Sequence, residues 1–421
     1  MTCGTIQLDT DLAFKGSPQD MKEVSRLVRE GSKALRDMGP EAIIELLDDY
    51  GKKLQASEMK GVEGVPFLAM WLRKANLERV LAESFGDPNV LKDFVGAGRR
   101  KVKAQPRGLA CHWIAGNVPT LGLFSLLQSL LVGNANILRV PAGSVDVVRR
   151  LLTVMAGSKA SKLMASFAVI TFPSSDKALN EALSMVADVR VVWGGMEAVE
   201  AITGLQKQGH CEDIVFGPKY SFAVIDKKAL ASKDLNILLR RLAGDIVMFE
   251  QGACSSPQVL FFEKGFEPKL LMDMLAKELA AVSKKMPKTE IDTSTATRII
   301  NKRAEYALSE ERNMKASKDI DWTILFDEQL RLEEPVQSRT LFLKPCKDIM
   351  DIIPLITHKI QTVGMEVHDG KLAKKFADAV TLNGVARCVP FGQMNFYESP
   401  WDGMIVMGRL VRFCSMNERE E

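Results

Sequence analysis

Apolar positions recur at helical spacing through the first hundred residues and then change to short runs typical of buried strands. Ile43, Ile44, Leu46, Leu47 and Leu54 form one stripe behind Pro40, a residue suited to a first helical turn, so a helix is expected to open there. Phe67 to Phe85 carries a second amphipathic pattern, and the run Arg99-Arg100-Lys101-Val102-Lys103 before Pro106 reads as a solvated linker. From Gly108 the chain predicts strands at Leu109–Ile114, Asn136–Val140, Phe167–Phe172 and Val189–Trp193. Between them lie helices, among them a strongly apolar one from Thr120 to Val132 that closes on Gly133-Asn134. Apolar strands separated by helices predict a parallel sheet covered on both faces. A second α/β block follows. It has a strand, turn and strand over Ile214–Asp226, a helix from Ser232 to Phe249, and a strand at Val259–Phe262. Helical segments at 266–284 and 294–314 come next, then strands at Trp322–Phe326 and Thr340–Leu343, a helix at 348–360 and a strand at Thr362–Val367. The expected fold is α/β with a helical N-terminal region, 1–107. A parallel-sheet domain, 108–211, a second α/β domain, 212–385, and a C-terminal segment, 386–421, complete the chain.

Composition narrows the function classes. A net charge of +3 is too small to imply nucleic acid or an anionic membrane surface. The seven cysteines are scattered without paired spacing, and the four histidines do not fall at metal-ligand intervals. A disulfide framework and a zinc site are therefore not expected. Asp9 and Asp11 stand where a signal peptide needs basic and then apolar residues, and the apolar stretch from Leu109 to Val140 is interrupted by His112, Asn117, Gln128 and Asn134. The expectation is a chain without a membrane span, in a reducing cytoplasm.

Candidate chemistry centres on Gln251-Gly-Ala-Cys-Ser-Ser-Pro-Gln258. Gly252 and Ala253 allow close approach to the Cys254 sulfur, and Pro257 stops a helix. Backbone N–H groups of such a turn stabilise a thiolate and a neighbouring oxyanion. The competing use is a small buried thiol at a strand entry. At the carboxyl ends of the first sheet, where parallel sheets bind ligands, fall Asn117, Ser174 and Gly194. The strict Gly-x-Gly-x-x-Gly fingerprint is absent. Gly194-Gly195 at a helix start can still receive a pyrophosphate.

Five segments together resemble the aldehyde dehydrogenase superfamily, and within it the LuxC-type acyl-CoA reductases. They are Ala115-Gly-Asn117-Val-Pro, Val192-Trp-Gly194-Gly195-Met-Glu197, Phe216-Gly-Pro-Lys-Tyr-Ser221, Ala253-Cys254-Ser-Ser-Pro-Gln258 and Pro390-Phe-Gly392, in the family's order from Gly108 to Phe413. The resemblance implies that Cys254 is the nucleophile, that Asn117 and the Cys254 backbone N–H bind the oxyanion, and that Gly194 and Gly195 contact the cofactor pyrophosphate. Where the family commonly has a ribose-binding lysine this chain has Val140, with Arg139 beside it as a substitute. Glu334 stands for the family's glutamate on the nicotinamide ribose. The implied reaction reduces a fatty acyl-CoA to the aldehyde with NADPH, or NADH, and CoA is the co-substrate released. An acyl-protein donor, an acyl-protein synthetase partner and a homo-oligomer follow by the same resemblance.

Three other readings compete: a condensing acyltransferase, a CoA-independent aldehyde dehydrogenase, and a silent scaffold. The first lacks histidines in glycine-rich turns. Against the second, registering the catalytic turn on Gly217 puts Val215 where acid-forming enzymes have a water-activating glutamate. Asp213, on the same strand face, is the residue able to replace it.

Overall fold

The computed structural model describes residues 14–116, 119–288 and 291–418. Its strands are β1 (Arg100–Pro106), β2 (Leu109–Trp113), β3 (Ala135–Arg139), β4 (Phe167–Ile170), β5 (Val189–Trp193), β6 (Glu212–Phe216) and β7 (Tyr220–Ile225). There follow β8 (Pro257–Glu263), β9 (Asn313–Ala316), β10 (Thr323–Phe326), β11 (Thr340–Cys346), β12 (Ile360–Glu366), β13 (Arg387–Val389) and β14 (Val411–Asn417). The chain divides into two units, one running to Gly217 and resuming at Tyr397, the other spanning Pro218–Phe396.

The first unit holds a five-stranded parallel sheet of order β4-β3-β2-β5-β6. The direction of winding reverses between β2 and β5, and that is where the carboxyl edge opens a crevice. Helix Pro18–Ala56 covers one face, placing Met21, Val24 and Val28 in a core with Leu109, Ile137 and Leu183. Ser17 and Asp20 close a capping box at its start. The helix breaks at Gly39, whose φ is 72°, and Pro40 begins the second arm as the apolar stripe predicts. Helix Pro119–Leu131 buries Leu123, Leu126, Leu127 and Leu130 completely. Phe124 of this helix stacks on Tyr397 at 5.7 Å, and the Tyr397 hydroxyl donates to Gln128 at 3.0 Å. Its leucines serve packing.

Three expectations change. Residues 100–106 are not a linker but β1, paired antiparallel with β14 from Arg100↔Asn417 to Pro106↔Val411. The partner lies at the far end of the chain, so no local pattern shows it. β6 pairs in parallel with β5, so the division between units falls after Gly217 and not before Glu212. The C-terminal segment is likewise split, for β13 pairs with β12 in the second unit and the chain rejoins the first unit only at Tyr397.

The second unit is a seven-stranded sheet of order β13-β12-β7-β8-β11-β10-β9, parallel except for the edge strand β9. Helices Leu235–Val247 and Pro268–Lys285 supply one core, and helices Thr293–Ala307 and Gly370–Leu382 contribute to the other. The helix expected to run to 314 stops at Ala307 and is followed by β9. The helix expected over 348–360 is only a 3-10 turn, Ile349–Leu355. Pro354 offers no N–H there and blocks propagation.

The first helix depends on one missing side chain. A Cβ at Gly31 would lie 2.0 Å from the Ala165 carbonyl oxygen. Helix propensity alone favours alanine by about 1 kcal/mol, but overpacking against backbone costs about 1–3 kcal/mol. Gly31→Ala is expected to lower the urea midpoint of unfolding. A raised midpoint would show that this contact is not tight.

Candidate active site

The carboxyl edge of the first sheet gathers four of the expected residues. Gly194 follows β5, and its N–H donates to the Phe216 carbonyl at 3.2 Å, which ties the ends of β5 and β6 together. Trp193 and Phe216 stack beneath it at 3.6 Å. Gly195 is the exposed N-cap of helix Met196–Thr203 with no side-chain cap, and nothing stands within 4 Å of where its Cβ would be. Its helix start is thus open to an anion, with the dipole in the favourable sense. Arg139 ends β3. Its guanidinium lies 5.4 Å over the Phe172 ring and donates to the Phe172 carbonyl at 2.9 Å, while its buried Nε has no partner. Burial lowers the Arg139 pKa. Arg139 therefore holds the loop that carries Ser174, which is exposed and whose carbonyl accepts from Asn180 at 3.1 Å. Val140 is buried. Asn117 falls outside the described residues, just beyond the Ile114-Ala115-Gly116 turn that ends β2. The open helix start at Gly195 is suited to a phosphate group.

The Cys254 turn belongs to the second unit, at the amino end of β8. The helix leading to it ends at Val247, before the expected Phe249. Phe249, Glu250 and Gln251 then adopt left-handed backbone, with φ of 53°, 48° and 62°. None is glycine, so each conformation costs about 1 kcal/mol. A second left-handed triple, Gln337, Ser338 and Arg339, has φ of 67°, 51° and 62°. The two turns hold each other. The Ser338 N–H donates to the Glu250 carbonyl at 2.8 Å, and the Gln251 carboxamide exchanges bonds with Thr340, accepting its N–H at 2.7 Å and donating to its carbonyl at 3.0 Å. Arg339, fully buried, grips the Glu250 carboxylate with two nitrogens, Nε at 2.9 Å and the shorter Nη2 contact.

Past that lock, Cys254 is half-buried. The Ser221 hydroxyl donates to the Cys254 carbonyl at 2.7 Å and accepts the Thr362 N–H at 3.0 Å. Gln258 donates to the Gln251 and Ser256 carbonyls at 3.1 and 3.2 Å. The turn is thus fixed on a belt of buried polar side chains at the amino ends of β7, β8, β11 and β12. Sequence reasoning missed Glu250, Arg339, Ser221 and Asp245. Ser221 begins an apolar strand, Asp245 interrupts the buried face of an apolar helix, and Glu250 and Arg339 lie in the turns before β8 and β11. Glu334 is exposed on the extended stretch before β11 and raises the pKa of nearby Tyr220, after burial as the larger cause. Its neighbour Glu333 is buried and pairs with the fully buried Lys344 at 2.8 Å.

Asp213 is accounted for. It faces Arg190 across β5 and β6. Arg190 donates to it through Nε at 2.6 Å and Nη2 at 2.8 Å, and Lys207 adds 2.7 Å. Burial pushes its pKa up, but the bonds from Arg190 and Lys207 outweigh this and hold it below the usual carboxylate range. It is a structural anion and a poor base. Val215, half-buried on β6, has no proton-accepting group.

The fold defined by these two units is that of the aldehyde dehydrogenases. The aldehyde dehydrogenase PutA from Anabaena variabilis superposes with a TM-score of 0.69 at 11% identity, covering 97% of this chain and 95% of that one. The glyceraldehyde-3-phosphate dehydrogenase GapN from Methanocaldococcus jannaschii, solved in complex with NADP, gives 0.66 at 13% identity over 96% and 94%. Within that fold the chain belongs to the acyl-CoA reductase (LuxC) family, whose model matches residues 18–413. A long-chain acyl-protein thioester reductase of Aliivibrio fischeri is 28% identical over 366 residues, 86% of this chain and 74% of that protein. Its counterpart in Vibrio harveyi is 28% identical over 349 residues, 81% and 71%. Among the described residues no helix is long and apolar enough to cross a membrane.

One carboxyl near the turn is poised to titrate. Burial pushes Asp245 up to about 7, against hydrogen bonds from the Gly392 and Met394 backbone that lower it. A carboxyl raised on folding binds its proton more tightly when folded, so it stabilises below its unfolded pKa and loses that contribution as pH rises to about 7. Urea unfolding of Asp245→Asn and wild type across pH should show the difference moving in favour of the variant between roughly pH 4 and 7, by up to about 1.4 kcal/mol per unit, then levelling. A difference independent of pH would show that Asp245 stays ionised throughout.

Proposed function

We propose that this protein reduces a long-chain fatty acyl thioester to the fatty aldehyde through a thioester on Cys254. The observation that carries the reading is a half-buried cysteine in a turn locked by the Glu250–Arg339 pair and by Ser221, in a member of the acyl-CoA reductase family. The Cys254 thiolate attacks the acyl carbonyl, the bond from carbon to the donor sulfur breaks, and the donor leaves as a thiol after taking a proton. Asn117, assigned by resemblance, donates to the oxyanion. A bound reduced nicotinamide supplies the hydride that reduces the thioester carbonyl. The tetrahedral oxyanion so formed on Cys254 reforms its carbonyl as the carbon–sulfur bond breaks, and the aldehyde leaves with the thiolate restored.

For cofactor binding, Gly194 and Gly195 would receive the pyrophosphate, Ser174 and Arg139 the adenosine side, and Glu334 the nicotinamide ribose. The cation at Arg139 supports a 2′-phosphate, so NADPH is assigned ahead of NADH. The family description supports an acyl-CoA donor, and the names of the bacterial relatives support an acyl-protein donor. We assign acyl-CoA, with CoA as the thiol released, and an acyl-protein delivered by a synthetase partner as the second donor. The working form is assigned as a homo-oligomer by fold analogy.

With Val215 in place of a base and Asp213 bound to Arg190 and Lys207, water attack on the thioester lacks general-base help worth roughly 10²–10⁴ in rate. The thioester should therefore persist. Intact-mass spectrometry after acyl-CoA without cofactor should show one acyl adduct, absent from Cys254→Ala and retained by Cys211→Ala and Cys388→Ala. Asn117→Ala should lower turnover by roughly 10²–10³. In the oxidative direction, aldehyde and oxidised cofactor should give acyl-CoA only when CoA is present. An adduct on Cys254→Ala would remove the nucleophile. Rapid free-acid formation without CoA would make the protein a hydrolytic dehydrogenase, and its loss in Asp213→Asn would name the base.

A further inference from the structure

The late loop after β13 is held as firmly as any strand. The Phe391 N–H donates to Glu366 at 3.0 Å and the Gly392 N–H to Asp245 at 2.6 Å, so two buried carboxylates take adjacent backbone donors. Gly392 has a φ of 85°, and a Cβ there would meet the Arg241 side chain at 3.1 Å. Arg387 binds the loop's carbonyls, donating to Phe396 at 2.8 Å, to Gln393 at 3.1 Å and to Met394. All of these groups belong to the second unit. From this loop Asn395, which is 8% exposed, reaches the residues that follow Cys254.

The Asn395 amide donates to the Asp245 carbonyl at 3.0 Å. Its oxygen accepts the Ser255 hydroxyl at 2.7 Å and, more weakly, the Ser256 hydroxyl at 3.4 Å. Those serines directly follow Cys254 and are buried, at 3% and 0% exposure. Their hydroxyls are turned into the protein interior, onto Asn395. Ser221 fixes the carbonyl of Cys254, the Gln251 lock fixes the chain before it, and Asn395 fixes the chain after it.

We propose that Asn395 is a positioning residue for Cys254, acting through the Ser255 and Ser256 hydroxyls to hold the sulfur in line with the incoming acyl carbonyl. The proposal rests on the thioester reading above. Without Asn395 the chain after Cys254 keeps only the Gln258 bond to the Ser256 carbonyl and the β8 pairing from Pro257, so it keeps a reactive thiol but loses side-chain anchorage at Ser255 and with it the aim of the sulfur. Misplacement of a reacting atom by an ångström costs on the order of 100-fold in rate, whereas a small alkylating agent, which approaches from many directions, is insensitive to it.

The experiment compares wild type, Asn395→Ala, Ser255→Ala with Ser256→Ala, and the triple variant, in the full chain. Cys254 acylation by acyl-CoA is timed by mass spectrometry, and alkylation by iodoacetamide is followed across pH. Acylation should slow roughly 10- to 100-fold in Asn395→Ala, with a comparable loss in the serine pair and no further loss in the triple variant. The steady-state kcat should fall while KM stays within about twofold, and the alkylation pH profile should not move. If Asn395→Ala does not fold, Ser255→Ala alone carries the test, with at least a fivefold slowing expected. Additive losses in the triple variant, or equal slowing of alkylation and acylation, would reduce Asn395 to a stability contact and overturn the proposal. Acylation at the wild-type rate in all variants would also overturn it. A wild type with no Cys254 adduct would instead remove the thioester reading, and this inference with it.

Discussion

The ion pair between Glu250 and Arg339 is the constraint on which the Cys254 turn depends. Each partner sits in a run of three non-glycine residues with left-handed backbone, and no such run is stable by itself. Packed together they satisfy each other, because the twisted backbone aims the Glu250 carbonyl at the Ser338 N–H and the Gln251 carboxamide at Thr340. The Arg339 side chain is buried, so its bidentate grip works in a medium of low dielectric and is strong enough to hold the strained conformations. What that strain achieves is a sharp exit from helix Leu235–Val247 that turns the chain directly into β8 and leaves Cys254 in the bend.

The two units place chemistry at opposite kinds of sheet edge. In the first, Gly194, Arg139 and Ser174 lie at the carboxyl ends of parallel strands, where open helix starts offer N–H groups to a phosphate. In the second, Cys254 lies at the amino ends, where strands begin with buried polar side chains: Ser221, Gln258, Thr340, Gln361 and Thr362. A carboxyl edge binds by its backbone dipoles. An amino edge has to be furnished with side chains, and here Ser221 and Gln258 bond the Cys254 turn. The difference explains why the carboxyl edge at Gly194 and Gly195 is left open while the Cys254 edge is densely hydrogen-bonded.

On β6 neither Val215 nor Asp213 offers a free proton acceptor, by composition in the first case and by packing in the second. Val215 settles the position itself, yet Asp213 stands one pleat away on the same face of β6. Its registry opposite the fully buried Arg190 commits it. Every Arg190 nitrogen finds an acceptor, on Asp213, Ser184 or the carbonyls closing helix Met196–Thr203. An Asp213 drawn out to serve as a base would leave a buried guanidinium without its counter-ion.

Much of this was legible in the sequence. The alternation of apolar runs and amphipathic stretches determined an α/β fold, because parallel strands buried on both faces have to be apolar throughout, and Pro40 marked a helix start by local stereochemistry. The order of five turn motifs determined the family and pointed to Cys254. What needed tertiary structure were pairings between residues distant in the chain: β1 with β14, β6 with β5, Glu250 with Arg339, and Asn395 with Ser255. Each joins groups whose local sequence is ordinary. Charged residues at 99–103 look like a linker until a second strand arrives, and Phe249-Glu250-Gln251 contains no glycine to announce a left-handed turn. Local preferences are set by a residue's own sterics and its near neighbours. Strained backbone and buried polar groups are decided by partners that only the folded chain brings within hydrogen-bonding distance.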